Sequence, residues 1–281
     1  MTTLITGARG KIGHAVLTAL HTAGQPVRAA SSDPAALTVP AGVEAVALRF
    51  DAPETFDAAL TGVDQVFLYA AHAGVDSFLT AARAAGVEHI VLLSSSSVES
   101  PDAATHPIGA QHFAVENALT ASGITATVLR PGAFASNSFG WARSIGNDQP
   151  IEHPYPEAGI APIHTADIAD IAVAALTGAT ALRGRTFTLT GGQTLTFRTQ
   201  IALLADAIGR DIPVTTITHD EALQQMSAYM PAGIAESLLT NWAAATARPE
   251  TIADTTETLL GKPARTFHQW AQENAPVFTH S

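Results

Sequence analysis

Residues 1–14 read MTTLITGARGKIGH, a strand, a glycine turn and a helix start in direct succession. Leu4 and Ile5 are the apolar strand. Thr6-Gly7-Ala8-Arg9-Gly10-Lys11-Ile12-Gly13 is the turn, and Ile12, Val16, Leu17 and Leu20 then fall on one face of an amphipathic helix. Glycine serves where a turn is tight, where backbone must approach a pyrophosphate, and where a helix packs closely on a strand. The helix start adds N–H donors and the positive end of a dipole. In this context Gly7, Ala8, Arg9, Gly10, Lys11, Ile12 and Gly13 are the candidate phosphate-binding positions of a dinucleotide site.

Beyond the turn, apolar runs at 27–30, 43–50, 66–69, 90–93, 125–129 and 186–190 alternate with helical patterns such as 111–121 and 168–176. Short, continuously apolar strands of this kind predict a parallel sheet covered on both faces. The expected fold is α/β, a Rossmann-like doubly wound parallel sheet with a smaller, mainly helical C-terminal substrate lobe. Residues 147–162 hold four prolines and predict a loop bordering a pocket. Helical patterns follow at 200–208, 221–229, 234–247 and 266–273. Residues 1–281 read as one unit, with a Rossmann core over 1–150 and a lobe over 151–281 that returns in part to the core sheet.

The composition narrows the function classes. A chain of 281 residues, 47% of them hydrophobic, can bury a full core. Its formal net charge of -11 disfavours a nucleic-acid partner, since such a surface repels phosphate backbones. With no cysteine, disulfides, thiolate metal sites and a cysteine nucleophile are all excluded. No run of ~18 apolar residues suggests a membrane span, and the N-terminus enters a strand at once, so a cytoplasmic protein without a leader is expected. The eleven histidines show no metal-ligand spacing, and no G-x-S-x-G elbow supports a hydrolase.

Several further motifs accompany the glycine turn: Val27-Arg28 with Asp33-Pro34, Asp51 after the third strand, Leu92-Leu93-Ser94-Ser95, and His112-x-x-x-Glu116-x-x-Leu119-x-x-Ser122-Gly123. Leu129-Arg130-Pro131-Gly132-x-Phe134-x-x-Asn137, His164-x-x-Asp167-Ile168-Ala169 and Arg265-Thr266-Phe267-x-x-Trp270 complete the set. Together these resemble the NmrA-like group of atypical short-chain dehydrogenase/reductases over essentially the whole chain. The resemblance implies an NAD(P)-binding Rossmann domain, with substrate held between it and the C-terminal lobe. It also implies a choice of chemistries, because some members reduce quinones, enones, imines or other carbonyl-like compounds, some do other reactions, and some only sense the cofactor. One departure stands out. Where the larger superfamily carries a tyrosine and, four residues on, a lysine, counting from Glu116 places Ile108 and His112. The usual proton donor is missing.

The cofactor set extends the turn with Arg28, Ser31, Ser32, Asp51, Ala70, Ala71, His72, Ser94, Pro131, Gly132 and Phe134. Ser31 and Ser32 end the second strand where a ribose or its 2′-phosphate is read, with Arg9 and Arg28 as cations for a phosphate. The reading favours NADP and keeps NAD open. Asp51 either lies near the adenine or caps the helix that starts at Pro53-Glu54. The catalytic candidates are His112 in the lysine-like position, Tyr69 and Ser95. Ser95, Phe134, Asn137, Trp141, Tyr155 and Tyr229 are the substrate candidates, with His153 beside them. The expected activity is NAD(P)H-dependent reduction of a small carbonyl, quinone, enone or imine by a monomer or homodimer. A cofactor-binding redox sensor and a non-redox isomerase or cyclase on the same fold are the alternatives.

Overall fold

β1 (Thr3–Ile5) is buried at all three positions, as an inner strand must be. The surrounding fold comes from a computed structural model that describes residues 1–71, 73–178 and 180–279. α1 (Lys11–Thr22) turns Gly13, Val16, Leu17 and Leu20 inward. β2 (Val27–Ser31), β3 (Glu44–Ala47), α2 (Phe56–Leu60), β4 (Gln65–Tyr69), α3 (Val75–Ala84), β5 (His89–Leu93), α4 (Gly109–Ser122) and β6 (Thr125–Pro131) follow. The next elements are α5 (Ala142–Gly146), β7 (Ile151–His153) and β8 (Gly159–Ile160), then α6 (Thr165–Leu176) and β9 (Thr186–Leu189). Last come β10 (Leu195–Thr196), α7 (Phe197–Ile208), β11 (Val214–Thr216), α8 (His219–Met226), α9 (Ala232–Ala247), α10 (Thr255–Leu260) and α11 (Phe267–Thr279).

Two compact units result. The first joins Met1–Pro131 to Thr165–Leu189, and the second joins Gly132–His164 to Thr190–Ser281. In the first, seven strands run in the order β3-β2-β1-β4-β5-β6-β9, with every pairing parallel. Leu4, Val66, Leu68, Ile90 and Leu92 alternate onto one face, where Phe56, Phe78, Val115 and Leu119 of α2, α3 and α4 cover them. α1 and α6 pack together and α6 also meets β4 and β5 on the other side, so the sheet is wound on both faces. The third strand is shorter than its apolar run over 43–50. It stops at Ala47, and Phe50 turns into an aromatic cluster with Phe56 and Phe78 at ring separations of 6.4 and 5.2 Å.

The second unit has its core where α7 and α11 meet, with Ile201, Leu204, Phe267, Trp270 and Phe278 buried. Residues 147–162, predicted as a loop, carry two short strands. β7 pairs in parallel with β11, and β8 pairs antiparallel with β10, so their partners lie well downstream. The helix predicted over 221–229 starts earlier, at His219, because Thr218 and Glu221 close a reciprocal capping box there. α11 runs past residue 273 and through Pro276, since Phe278 packs 5.8 Å from Phe139 and is 1% exposed. Among the described residues no helix is long and apolar enough to cross a membrane.

Candidate functional site

β1 lies between β2 and β4, so the strand order reverses at this point and the carboxyl ends splay apart. The turn after β1 is built for close approach. Thr6 is 2% exposed; its N–H donates to the Phe67 carbonyl at 2.9 Å, and its Oγ1 accepts the Tyr69 N–H at 2.8 Å, tying β1 to β4. Gly7 takes φ +63°, a left-handed conformation that side chains resist, and the Gly10 N–H donates back to its carbonyl at 2.9 Å. A Cβ at Gly13 would sit 2.4 Å from the Gly7 oxygen, so helix and turn touch through bare backbone. No side chain caps the start of α1 at Gly10. A backbone cradle too tight for side chains, with an uncapped helix start, fits a pyrophosphate group.

A cleft of about 230 Å³ opens beside this turn, lined by Gly7, Ala8, Arg9, Ser31, Ser32, Tyr69 and Ala71 of the expected cofactor and catalytic sets, together with Thr6 and Ala30. Leu48 and Phe50 also line it, and the sequence reading missed both because they looked like strand interior. Ala70 packs against the hydrophobic core instead. His72 lies outside the described residues.

Two expected cofactor residues, Arg28 and Asp51, do not line this cleft. Arg28 stands near the amino end of β2, where its Nε donates to Glu44 at 2.8 Å and its Nη1 donates to the carbonyls of Ala59 and Thr61 at 3.0 and 2.8 Å. It lines a different hollow, of about 310 Å³, with Thr2, Pro26 and Glu44 before the strands begin. Asp51 neither lines the cleft nor caps a helix. Its carboxylate pairs with Arg49 at 2.9 Å, which holds its pKa below the usual value, and Ala52 takes the cap position ahead of Pro53–Thr55.

The catalytic candidates are spread over the first unit. Tyr69 is 57% exposed. Ser95 is occupied in capping the turn Ser96–Glu99, where its Oγ accepts the Ser97 N–H at 3.2 Å. His112 keeps a buried Nδ1 with no partner among the described residues, and burial lowers its pKa while the Glu116 charge opposes the shift. Ser94 donates to Glu116 at 2.5 Å. Pro131 ends β6, whereas Gly132 and Phe134 belong to the second unit, where Phe134 bridges to Ile163. In that unit Asn137 is exposed, Trp141 packs edge-on to Phe197 at 6.4 Å, Tyr229 is 72% exposed, and Tyr155 bonds to His219 at 2.8 Å. No group of three or more metal-ligating side chains occurs among the described residues.

A profile of NAD(P)H-binding proteins matches residues 7–179, which take in the turn from Gly7 onward and strands β2 to β6. The chain belongs to the NAD(P)H-binding family. It is 36% identical over 98% of both chains to a (4-alkanoyl-5-oxo-2,5-dihydrofuran-3-yl)methyl phosphate reductase of Streptomyces griseus subsp. griseus. It is 33% identical, again over 98% of both, to an NAD(P)H azoreductase of Xenophilus azovorans. Among solved folds, an NADPH-dependent quinone oxidoreductase of Escherichia coli in complex with NADPH superposes with a TM-score of 0.79 at 23% identity, over 97% of this chain and 99% of that one. These relatives make it an oxidoreductase of the NAD(P)H-binding family.

In this family member the helix pair predicted from His112 and Glu116 resolves differently. Glu116 turns to Arg130, accepting from Nε at 3.0 Å and Nη2 at 2.6 Å, and Arg130 also lies 3.6 Å from Glu99, which accepts from Thr188. The two-pronged pair, 12% and 22% exposed, braces α4 against β6. Glu116→Ala leaves the Arg130 guanidinium with the weaker Glu99 contact, and a loss of about 2 kcal/mol is expected by urea denaturation. A change under about 0.5 kcal/mol would show the pair to be incidental.

Proposed function

We propose that this chain is an NADPH-dependent reductase of a small, largely apolar acceptor: a conjugated carbonyl, quinone or imine. The observation that carries the reading is the cleft over the reversal between β1 and β4, floored by a turn in which Gly7 and Gly13 leave no room for a side chain. In this reading the turn 7–13 and the start of α1 hold the pyrophosphate, Leu48 and Phe50 offer apolar surface to the adenine, and Ser31 and Ser32 meet the adenosine ribose. Bound NADPH supplies the hydride, and the protein orients and desolvates the acceptor. The reductase relatives that act on a phosphorylated dihydrofuranone and on azo compounds support a conjugated, electron-poor acceptor.

Arg9 supports NADPH over NADH. It borders the cleft beside Ser31 and Ser32, and its guanidinium has no ion-pair partner among the described residues. A 2′-phosphate would give it one. Purified protein is expected to oxidise NADPH when offered a panel of enones, quinones and azo dyes. Arg9→Ala should raise the Kd for NADPH by about tenfold and leave NADH within about twofold, as charge-assisted hydrogen bonds of this kind warrant. Equal weakening of both cofactors would remove the assignment. Tight NADPH binding with no acceptor turned over would transfer the reading to a redox sensor. Product formed without cofactor oxidation would point to a non-redox enzyme.

A further inference from the structure

The cleft beside the glycine turn has an apolar end. β3 lies beyond β2 in the sheet order, and Leu48 and Phe50, just past its carboxyl end, line the cleft together with Ala30 of β2. A dinucleotide with its pyrophosphate on the turn after β1 and its ribose at Ser31 and Ser32 after β2 therefore directs its base toward Phe50. That residue is seated firmly. It occupies a turn closed by the Ala52 N–H, which donates to the Arg49 carbonyl at 3.0 Å. The Phe78 ring of α3 lies 5.2 Å from its ring, and Phe56 lies at 6.4 Å. One helical turn before Phe78, Gly74 precedes α3 at φ +76°, and a Cβ there would lie 1.9 Å from the Phe50 carbonyl oxygen and 2.8 Å from its carbon. Only glycine permits that approach. The start of α3 thus holds Phe50 by its backbone and by its ring.

This end of the cleft offers a base a face and no edge. Adenine presents hydrogen-bond donors and acceptors side by side on its edge, and amide and carboxylate side chains are the groups that read such a pattern. Among the described residues that line the cleft there is no Asp, Glu, Asn or Gln. Asp51, the neighbour of Phe50 in sequence, pairs with Arg49 at 2.9 Å. The Thr6 hydroxyl is engaged with β4, donating to the Phe67 carbonyl at 3.1 Å and accepting the Tyr69 N–H at 2.8 Å. Tyr69 ends β4, on the opposite side of β1 from β2 and β3.

We propose that the site takes the base of its dinucleotide by the face and leaves the edge unread, with Phe50 as the stacking platform and Gly74 as the positioning residue that sets it. The proposal rests on the cofactor reading above. Stacking on an aromatic ring tolerates a change of base, because every base has a π face. A hypoxanthine dinucleotide, which carries a carbonyl and an N–H where adenine carries an amine and a bare ring nitrogen, therefore binds as the adenine form does. Gly74 acts through the Phe50 main chain and touches no part of the ligand.

The test is calorimetric titration of the full chain with NADPH and with reduced nicotinamide hypoxanthine dinucleotide phosphate. The wild type should bind the two with Kd values within about threefold, and a preference for NADPH above about tenfold overturns the proposal. Phe50→Ala is expected to raise both Kd values by about tenfold and Phe50→Tyr to restore them; unchanged binding in Phe50→Ala removes the platform. Gly74→Ala should weaken both ligands by about tenfold as well, but add less than about twofold once Phe50 is already alanine. A loss that persists in the double variant would mark a structural role and overturn the positioning. Gly86 supplies the control at the other end of α3, since it has φ +86° with nothing within 4 Å of an added Cβ. Gly86→Ala carries similar backbone strain and should bind within about twofold of wild type. If Gly74→Ala does not fold, Phe78→Leu removes the ring contact from the same helix and must give the same pattern. A wild type that binds neither dinucleotide overturns the cofactor reading and this proposal with it, whereas one that binds NADPH and rejects the hypoxanthine form overturns this proposal alone.

Discussion

Gly13→Ala is expected to raise the Kd for NADPH by at least about 100-fold in a fluorescence or calorimetric titration, equivalent to about 2.7 kcal/mol. The added Cβ would lie 2.4 Å from the Gly7 oxygen, 2.8 Å from the Gly7 carbonyl carbon and 3.2 Å from the Ala8 nitrogen. All three are backbone atoms, so no rotamer change relieves the clash. The start of α1 must back away from the turn, and the donors aimed at the phosphates move with it. Overpacking of this kind also costs about 1–3 kcal/mol of stability. Gly10 provides the internal control, because a Cβ there meets only the Gly7 oxygen at 3.3 Å. Gly10→Ala should therefore bind far better than Gly13→Ala. Equal effects of the two substitutions would mean that the close packing of helix on turn is not what shapes the site.

Acid should weaken both units, each through one buried histidine. In the first unit His89 is fully buried, its ring nitrogens 3.2 Å from Gln65 Oε1 and 2.9 Å from Thr127 Oγ1. Burial, and then the nearby Arg183 charge, push its pKa from 6.5 down to about 4. In the second unit burial pushes His153 to about 4 as well, against a smaller opposing effect of the hydrogen bond from Tyr155. Above pH 6.5 both imidazoles are neutral, folded or unfolded, and nothing is lost. Below 6.5 the unfolded chain takes up protons that the folded chain refuses, so stability falls as pH drops and levels off below about 4. Between pH 7 and 5 each unit is expected to lose about 2 kcal/mol from this source. Denaturant titrations at the two pH values check it, and His89→Gln should remove the drop in the first unit alone. A first unit whose His89→Gln variant keeps the full slope would place the acid sensitivity elsewhere.

The features legible in the sequence were those set by neighbouring residues. The glycine turn, the inner strands and the parallel order follow from local apolar runs and short-range spacing, and they brought Gly7, Arg9, Ser31 and Tyr69 to one cleft. Arg28 lies at the amino end of β2, away from the cleft, and residue type alone does not say which end of a strand a cation occupies. Leu48 and Phe50 were hidden because an apolar residue leaving a strand reads like one inside it. Glu116 pairs across fourteen positions with Arg130 in preference to its helix neighbour His112. The strands within 147–162 depend on partners at 195–196 and 214–216. Tyr155 and His219 are separated by 64 positions, so no motif could announce their meeting.

The path of the chain between its two units bears on how the protein is made. β6 finds its outer neighbour only in β9, and α1 finds α6, so the sheet emerging from a ribosome keeps a bare parallel edge and an uncovered helix face until residue 189 has been synthesised. Meanwhile β7 and β8 are already out, waiting for β11 and β10. A nascent chain of this protein therefore passes a long interval with unpaired strands in both units, the kind of exposed edge that chaperones shield. A chain ended before residue 189 would lack both coverings and is expected to aggregate, as light scattering of the truncated protein would check.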